Sequence, residues 1–384
     1  MRIRVRHVQL LALMTLFVVA AVAFLYLIGQ DALQGRHPFQ FFADSNTYLR
    51  IYTGEFDTFD GALIGVATNY VGPLLVLELL RGNVYLVMLL NVAIFCASLL
   101  QIATLLRVDP LKVAALLLLS PLTVSSLLSV NKEIFAFPFI ALALTGYMRR
   151  SVPAIVLALI ASMLARWQLT GFYVVMLLIG HGPRWFSRRT VLLGLLAGAS
   201  AFYALMQDWL EPIISATELA IAEYDEGGSG LFEATLNYQK QGLYFLLFPV
   251  KAAHLLFGLG LRFDKWLSPA DIYNDIFVAG HCLVSLVALV ALLARKQFSL
   301  SSDMIFTSMV FLAIICLSPV FAPRYLYPVY VLWVLILAGA RADLVSSQFR
   351  ARRHRRAQTS STNAPAAALP ATSLGGALHY ANDN

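Results

Sequence analysis

The sequence has few charged residues, few cysteines and none of the short patterns that mark a soluble nucleotide- or metal-binding domain. Only 13% of its 384 residues are charged, whereas a soluble domain carries about 25%. No HExxH, CxxC, P-loop or GxGxxG pattern occurs, so we predict no metal site and no cofactor. The three cysteines lie in apolar runs without disulfide or zinc spacing, which is typical of small core residues.

Long apolar runs fill most of the chain instead. Hydrophobic residues make up 59% of the sequence, and a run of about 20 of them spans the hydrocarbon core of a bilayer as a helix. The alternating pattern of membrane-spanning strands is absent, and helices are the other structure that satisfies the backbone in lipid. The sequence therefore predicts an all-α integral membrane protein.

The apolar runs predict about ten transmembrane helices. They cover residues 8–29, 83–106, 111–130, 134–148, 152–165, 169–180, 190–206, 276–294, 304–320 and 326–340. Two further apolar segments, 62–80 and 243–259, are interrupted by proline and charged residues, and we interpret them as re-entrant or interfacial segments on the outer side. With that choice every Arg-rich short loop, the N-terminus and the C-terminus face the cytoplasm, as the positive-inside rule requires.

This organisation divides the chain into two parts. Residues 1–340 form a polytopic membrane domain with outer loops at 30–61 and 208–241, and residues 341–384 are expected to be a disordered, basic cytoplasmic tail. The net charge of +7 comes mostly from helix ends and the tail. Membrane topology accounts for it, and we predict membrane lipids rather than nucleic acid as the partners of these cations.

The predicted topology gathers ionisable residues on the outer face, at the ends of apolar runs. Charges in such positions are costly unless they are paired or functional. Asp44 begins a plausible helix in FFADSNTYLRIY. It is either a helix N-cap or a general base that deprotonates an acceptor hydroxyl.

The other ionisable residues of the outer face also have two interpretations. Lys132 and Glu133 form either a local ion pair at a tight turn or a phosphate ligand beside a catalytic or orienting carboxylate. Arg166 and Arg324 either extend to the lipid headgroups or bind phosphate in a bidentate manner. Gln168 and Tyr325 are candidate substrate-binding neighbours, although Tyr325, with Tyr327 and Tyr330, also fits an interfacial aromatic belt.

The layout of these residues resembles that of a known enzyme class. An acidic residue in the first outer loop of a polytopic chain, here Asp44 in ADSNTY, resembles the GT-C type of membrane glycosyltransferase. The segments SVNKEIFAF, LARWQLTGF and APRYLYPVYVLWVLILAG resemble bacterial surface-polysaccharide polymerases of the Wzy or EpsG kind. The resemblance covers roughly residues 8–340 and rests on layout and short motifs.

The resemblance implies an activity, a location and partners. It implies glycosyl transfer from a polyprenyl-(di)phosphate-linked sugar to a glycan acceptor, on the outer face of the bacterial inner (plasma) membrane. The product would be an exopolysaccharide or an O-antigen-type polysaccharide, and other polysaccharide assembly proteins are possible partners. Asp44 or Glu133 would be catalytic, and Lys132, Arg166, Gln168, Arg324 and Tyr325 would bind substrate.

A polysaccharide or lipid-linked-sugar transporter or flippase is the rival hypothesis. Such proteins carry broken helices at matching positions in two halves, and the interrupted segments 62–80 and 243–259 fit that description. The sequence shows no repeat between its halves, however, and its charges lie at outer helix ends rather than in the middle of spans. The sequence alone therefore favours the enzyme.

Overall fold

The computed structural model describes most of the N-terminal 340 residues, and every regular element among them is helical. The described residues are 2–33, 41–54, 70–181, 187–206, 238, 241, 243–258, 272–317 and 322–340. They belong to one unit, Met1–Ala342. The tail predicted at 341–384 lies outside the described residues, as does nearly all of the loop predicted at 208–241.

The first half of the chain forms a series of helices joined by short turns. They are α1 (Arg2–Leu33), α2 (Ala43–Tyr52), α3 (Val71–Leu79), α4 (Val84–Leu106), α5 (Pro110–Leu118), α6 (Pro121–Leu128), α7 (Ala136–Arg149) and α8 (Val152–Ala165). A 3-10 turn, Lys132–Phe135, connects α6 to α7. The loop predicted at 30–61 thus contains a helix, α2.

The second half continues the same pattern. Its helices are α9 (Trp167–His181), α10 (Arg188–Leu205), α11 (Tyr244–Phe257), α12 (Ala279–Ala294), α13 (Asp303–Leu317) and α14 (Tyr327–Leu337). A π-helical turn, Tyr273–Val278, leads into α12. A second 3-10 turn, Pro323–Leu326, leads into α14.

Several helices are suited to a membrane. By length and composition, three helices of the described residues can cross a bilayer, namely Val5–Gly29, Val84–Leu106 and Tyr273–Ala294. The pair α5 and α6 makes a fourth if the two are taken as one bent span. Further apolar helices of 10–17 residues accompany them. The prediction of an all-α membrane protein is confirmed to this extent.

The third predicted span is not a continuous helix. We expected one helix over 111–130, but α5 ends at Leu118 and α6 begins at Pro121, with a bend of 95° between them. Pro121 has no backbone N–H to donate and its ring clashes with the preceding turn of a helix. Ser120 is extended (ψ 120°), as the residue before a proline prefers to be. The prediction was wrong because it ignored the Ser120–Pro121 signal.

Helix α14 lies at the centre of the bundle. Its residues from Val329 to Leu337 are all buried, and Trp333 and Tyr330 are among the largest side chains without solvent contact. A helix that is apolar on every side belongs in the interior of a bundle.

The prediction of an interfacial aromatic belt is wrong for Tyr327 and Tyr330, because both hydroxyl groups make hydrogen bonds inside the bundle. Tyr327 Oη lies 2.7 Å from Thr123 Oγ1, and Tyr330 Oη donates to the carbonyl of Leu116 at 2.6 Å.

Basic residues end several helices in a left-handed conformation. Arg107 ends α4 with φ 57°, Arg150 ends α7 with φ 54°, and Lys296 follows α12 with φ 55°. Glycine is the usual residue at such positions because it has no Cβ. A cation there interacts favourably with the negative end of the helix dipole.

Ion pairs connect the ends of helices that are distant in the sequence. Arg6 on α1 lies 3.3 Å from Asp109, the N-cap of α5. Arg188, at the start of α10, pairs with Asp303 at the start of α13 and also donates to the carbonyl of Ser301 at 2.6 Å. These contacts fix which helix ends lie beside one another.

Gly72 lets α3 pack closely against α8. A Cβ placed on Gly72 would overlap the carbonyl oxygen of Leu164 and would lie 2.8 Å from the ring of Phe135. Leu164 is two residues from Arg166, so this contact lies close to the polar residues described below. Because a backbone carbonyl cannot move aside alone, the two helices need a glycine here.

We therefore expect Gly72→Ala to lower the thermal unfolding midpoint of the purified protein, because overpacking costs about 1–3 kcal/mol. Gly194→Ala is the matched control, since nothing lies within 4 Å of a Cβ built on Gly194 in α10. Alanine there should leave the midpoint unchanged or raise it, because it favours the helix by roughly 0.5–1 kcal/mol over glycine. Equal midpoints for the two variants would contradict this account.

Candidate functional site

Four distant segments bring five charged side chains together. Asp44 is in the first turn of α2, Lys132 and Glu133 are in the 3-10 turn before α7, Arg166 ends α8, and Arg324 is in the 3-10 turn before α14. We call these five residues the ionic cluster. Each was a candidate in the sequence, and the structure places all five in one region.

Asp44 and Arg324 form one ion pair of the cluster. Arg324 Nη1 lies 2.6 Å from Asp44 Oδ1, and both side chains are mostly buried. Asp44 is the second residue of α2, and Phe42 is the N-cap, with no side-chain hydrogen bond to the helix. The alternative interpretation of Asp44 as an N-cap is therefore wrong, and its carboxylate is directed at the turn before α14.

Glu133 and Arg166 form the second ion pair. Arg166 Nη2 donates to Glu133 Oε1, and the two side chains are only 7% and 2% exposed, respectively. This pair overturns two interpretations from the sequence. Glu133 does not pair with its neighbour Lys132, and Arg166 does not extend to lipid headgroups. Burial of this kind requires both partners, because an isolated charge in the interior is strongly unfavourable.

Lys132 is the member of the cluster whose charge no carboxylate of the described residues neutralises in an ion pair. Its side chain is buried, and it takes part in none of the ion pairs of the described residues. Its Nζ lies 5.7 Å from the ring centroid of Tyr325. The described cluster therefore contains three cations and two carboxylates, which leaves one excess positive charge.

Asparagine side chains hold the turn that carries Lys132 and Glu133. Asn131 Oδ1 accepts the backbone N–H of Glu133 at 3.1 Å, and Asn131 Nδ2 donates to Tyr273 Oη at 3.4 Å. Asn91 on α4 donates to the carbonyls of Ser126 and Ser129, at 3.1 and 2.8 Å. These bonds satisfy buried backbone groups at the end of α6 and fix the position of the turn.

Tyrosine rings cover the cations. The guanidinium carbon of Arg166 lies 3.6 Å from the ring centroid of Tyr325, and that of Arg324 lies 5.7 Å from the centroid of Tyr273. Contacts of this kind are attractive and become stronger when water is excluded. Tyr325 was a candidate in the sequence, whereas Tyr273 was not. The Tyr273–Asn274–Asp275 run before an apolar segment was the available signal.

Polar atoms at the site lack hydrogen-bond partners among the described residues. The atoms without a partner in this region are Asp44 Oδ2, Asn46 Oδ1, Glu133 Oε2, Arg166 Nη1, Gln168 Oε1 and Arg324 Nε. Gln168, in the first turn of α9, is buried as well. Buried polar groups are normally satisfied. We call these buried atoms without a hydrogen-bond partner open donors and open acceptors. Such donors beside such acceptors fit a ligand that has both a negative charge and hydroxyl groups.

The electrostatic environment keeps Asp44 ionised. Burial is the largest single influence and by itself would raise the pKa of Asp44. The cations Arg324, Lys132 and Arg166 together outweigh burial, so the pKa lies below its ordinary value. A carboxylate with a lowered pKa is a weak base in the resting state, and it becomes stronger when an anionic ligand neutralises the neighbouring cations.

The remaining titratable groups of interest lie outside the cluster. His281 on α12 is buried, and its Nδ1 lies 2.8 Å from Ser120 Oγ at the bend between α5 and α6. The three cysteines are free. Among the described residues, no three His, Cys, Asp or Glu side chains are grouped so that they could hold a metal ion.

Comparisons of the chain with protein-family models, with curated proteins and with solved structures find no match.

Proposed function

We propose that the protein is a membrane glycosyltransferase or polysaccharide polymerase. Its donor is a sugar linked to a polyprenyl phosphate or diphosphate, and its acceptor is a glycan on the outer face of the bacterial inner membrane. The observation that carries the proposal is the ionic cluster, whose excess positive charge and open polar atoms are buried in an apolar bundle. A charged group kept in such surroundings is a functional-site hypothesis by default.

The cluster has the groups that glycosyl transfer needs. The acceptor hydroxyl oxygen attacks the anomeric carbon, and the bond from that carbon to the phosphate oxygen breaks with both electrons staying on the phosphate. Lys132, Arg166 and Arg324 stabilise the negative charge that develops on this leaving group. A carboxylate accepts the hydroxyl proton, and Asp44 and Glu133 each have one oxygen free of the ion pairs for that role.

Gln168 and Tyr325 complete the proposed substrate contacts. The open amide oxygen of Gln168 can accept a hydrogen bond from a sugar hydroxyl. Tyr325 holds the Arg166 guanidinium against its ring and so limits the directions in which Arg166 can donate. These residues bind and orient the substrate and do not carry the proton.

An in vitro transfer assay tests this function. We expect the purified protein, in lipid nanodiscs with membrane-extracted lipid-linked sugars and acceptor glycan, to release polyprenyl phosphate or diphosphate as glycan product forms. Arg324→Lys should reduce product formation sharply, because lysine keeps the charge but loses the planar fork. Lys112→Gln on the exposed side of α5 is the control and should be fully active. Full activity of Arg324→Lys would exclude bidentate binding by Arg324.

We also propose ten transmembrane spans with both termini in the cytoplasm. The spans would be α1, α4, the bent pair of α5 and α6, and then α7, α8, α9, α10, α12, α13 and α14. Two sets of contacts support the alternation of these spans. The members of the ionic cluster all come from segments assigned to the outer side. The pairs Arg6–Asp109 and Arg188–Asp303 join segments assigned to the inner side.

Reporter fusions check this topology. A periplasm-active reporter should work when fused near Asp44 or Ser229, and a cytoplasm-active reporter should work near Ser187 or Arg350. The positive-inside distribution of arginine is the physical reason. Cytoplasmic activity at Ser229 would change the number of spans and would place the loop at 208–241 on the wrong side for an acceptor.

A lipid-linked-sugar flippase or transporter is the second candidate, and one observation favours it. The 95° bend between α5 and α6 interrupts a span of the bundle, as transporter helices are interrupted near their sites. Reconstitution of the same purified protein into liposomes separates the two hypotheses, because the movement of lipid-linked sugar between leaflets can then be measured. A transporter moves the lipid-linked sugar between leaflets and leaves its glycosidic bond to phosphate intact.

A further inference from the structure

The charge balance of the ionic cluster bears on the number of phosphates in the donor. Two of the three cations are neutralised by carboxylates, and Lys132 supplies the one charge that remains. The cations that act on Asp44 are Arg324, Lys132 and Arg166. Lys251, another buried cation of the described residues, lies on α11 and is not among the cations that act on Asp44. The described site therefore balances a single negative charge.

The donors without hydrogen-bond partners also match a ligand with a single negative charge. Arg166 Nη1 and Arg324 Nε have no hydrogen-bond partner, and the ammonium of Lys132 is in no ion pair of the described residues. A phosphate diester has one negative charge shared by two non-bridging oxygens, and these three donors are enough to satisfy them. A diphosphate diester has two charges and four such oxygens, so it would bring an uncompensated charge into a buried site.

The acceptors beside these donors also disfavour a ligand with two adjacent phosphates. Asp44 Oδ2 and Glu133 Oε2 are open carboxylate oxygens at the same site. They would repel a second phosphate placed next to the first, whereas they can accept hydrogen bonds from neutral hydroxyl groups. A single phosphate flanked by a sugar matches this arrangement of donors and acceptors.

We propose that the donor is a sugar joined to the polyprenyl chain through a single phosphate diester, and that a diphosphate-linked sugar is discriminated against. This inference rests on the proposed function and narrows it. A monophosphate-linked donor delivers one sugar residue at each transfer event and releases polyprenyl monophosphate. The protein would then decorate or extend a glycan by single sugars, and a reaction that forms polyprenyl monophosphate sugars must supply its substrate.

Binding of two short-chain probes tests the proposal without knowledge of the sugar. The probes are the methyl ester of a C10 polyprenyl phosphate, with one charge, and the methyl ester of the corresponding diphosphate, with two charges. Binding to the full-length protein is measured in phosphatidylcholine nanodiscs, which contain no anionic lipid to compete. We expect the monophosphate probe to bind at least tenfold more tightly than the diphosphate probe.

Charge variants make the test specific to the cluster. Lys132→Gln removes the excess charge and should weaken binding of the monophosphate probe at least tenfold. Asp44→Asn adds one positive charge, so the preference should move at least tenfold toward the diphosphate probe. Lys112→Gln, exposed on α5, should change neither affinity. An unchanged preference in Asp44→Asn would overturn the charge-matching argument.

The outcomes separate this inference from the proposed function. Equal or tighter binding of the diphosphate probe, with loss of that binding in Lys132→Gln, would overturn the single-phosphate donor and leave a lipid-linked donor in place. Failure of both probes to bind would overturn the proposed function as well.

Phosphatidylglycerol, another lipid phosphate diester, serves as a competitor. If it binds as tightly as the monophosphate probe, the site recognises a bilayer headgroup and the donor assignment is wrong.

Discussion

Replacement of Arg166 by methionine is expected to destabilise the protein by about 3–5 kcal/mol, because Glu133 would remain buried with no cation beside it. The two side chains are 7% and 2% exposed, so water cannot take the place of the guanidinium. Thermal or denaturant unfolding in nanodiscs measures the effect. Arg6→Met is the matched control. Its pair with Asp109 is 51% and 31% exposed, and an exposed pair contributes at most about 1 kcal/mol.

The double variant Arg166→Met, Glu133→Leu separates folding from function. It removes both charges, and replacing a buried ion pair by apolar residues is often neutral or stabilising. We expect its stability to return to within about 1–2 kcal/mol of the wild type while glycan product stays absent. A double variant as unstable as the single one would show that the pair itself holds the fold. An active double variant would exclude the pair from the mechanism.

Asp44→Asn is expected to reduce turnover by about 10²- to 10⁴-fold, because an amide cannot accept the hydroxyl proton. The protein should still reach the membrane at normal levels. Phe42 rather than Asp44 occupies the N-cap position of α2, and the amide oxygen can still accept a hydrogen bond from Arg324. Product formation per unit of folded protein is the measurement. Asp109→Asn, an N-cap at the other end of the bundle, is the control and should be fully active.

The pH profile adds a second test of Asp44. Because its folded-state pKa is lowered, the ion pair with Arg324 stabilises the protein fully above the ordinary aspartate value of 3.8 and loses that contribution only as pH falls through the lower folded value. We therefore expect no loss of stability or activity due to Asp44 between pH 5 and pH 8. Full activity in Asp44→Asn would remove Asp44 from the mechanism and leave Glu133 as the base.

Local signals in the sequence predicted many helix boundaries well. The second predicted span, 83–106, corresponds to α4, which begins after the N-cap Asn83, and the fifth, 152–165, corresponds to α8, which begins after the N-cap Ser151. Both boundaries depend on a side-chain cap or a basic residue within a few positions. The third span failed because a long apolar run conceals a proline break, and hydropathy carries no information about backbone geometry.

The partners within the site could not be predicted in the same way. The predicted topology grouped Asp44, Glu133, Arg166 and Arg324 on one face, because successive apolar helices were expected to alternate in direction. Whether Glu133 pairs with adjacent Lys132 or with Arg166, 33 positions away, depends on how α8 packs against the turn before α7. Gly72 takes part in that packing, and its role becomes visible only when Leu164 and Phe135 are seen beside it.

The left-handed basic residues at helix ends have a consequence for protein engineering. A substitution of Arg107, Arg150 or Lys296 by glycine would relieve backbone strain of roughly 1 kcal/mol at each position, and an algorithm that optimises stability would select it. In the proposed topology these residues face the cytoplasm, and the same substitution would delete charges that direct insertion at the translocon. Fold stability and membrane orientation thus place opposite demands on these three positions, and a more stable sequence could insert in the wrong direction.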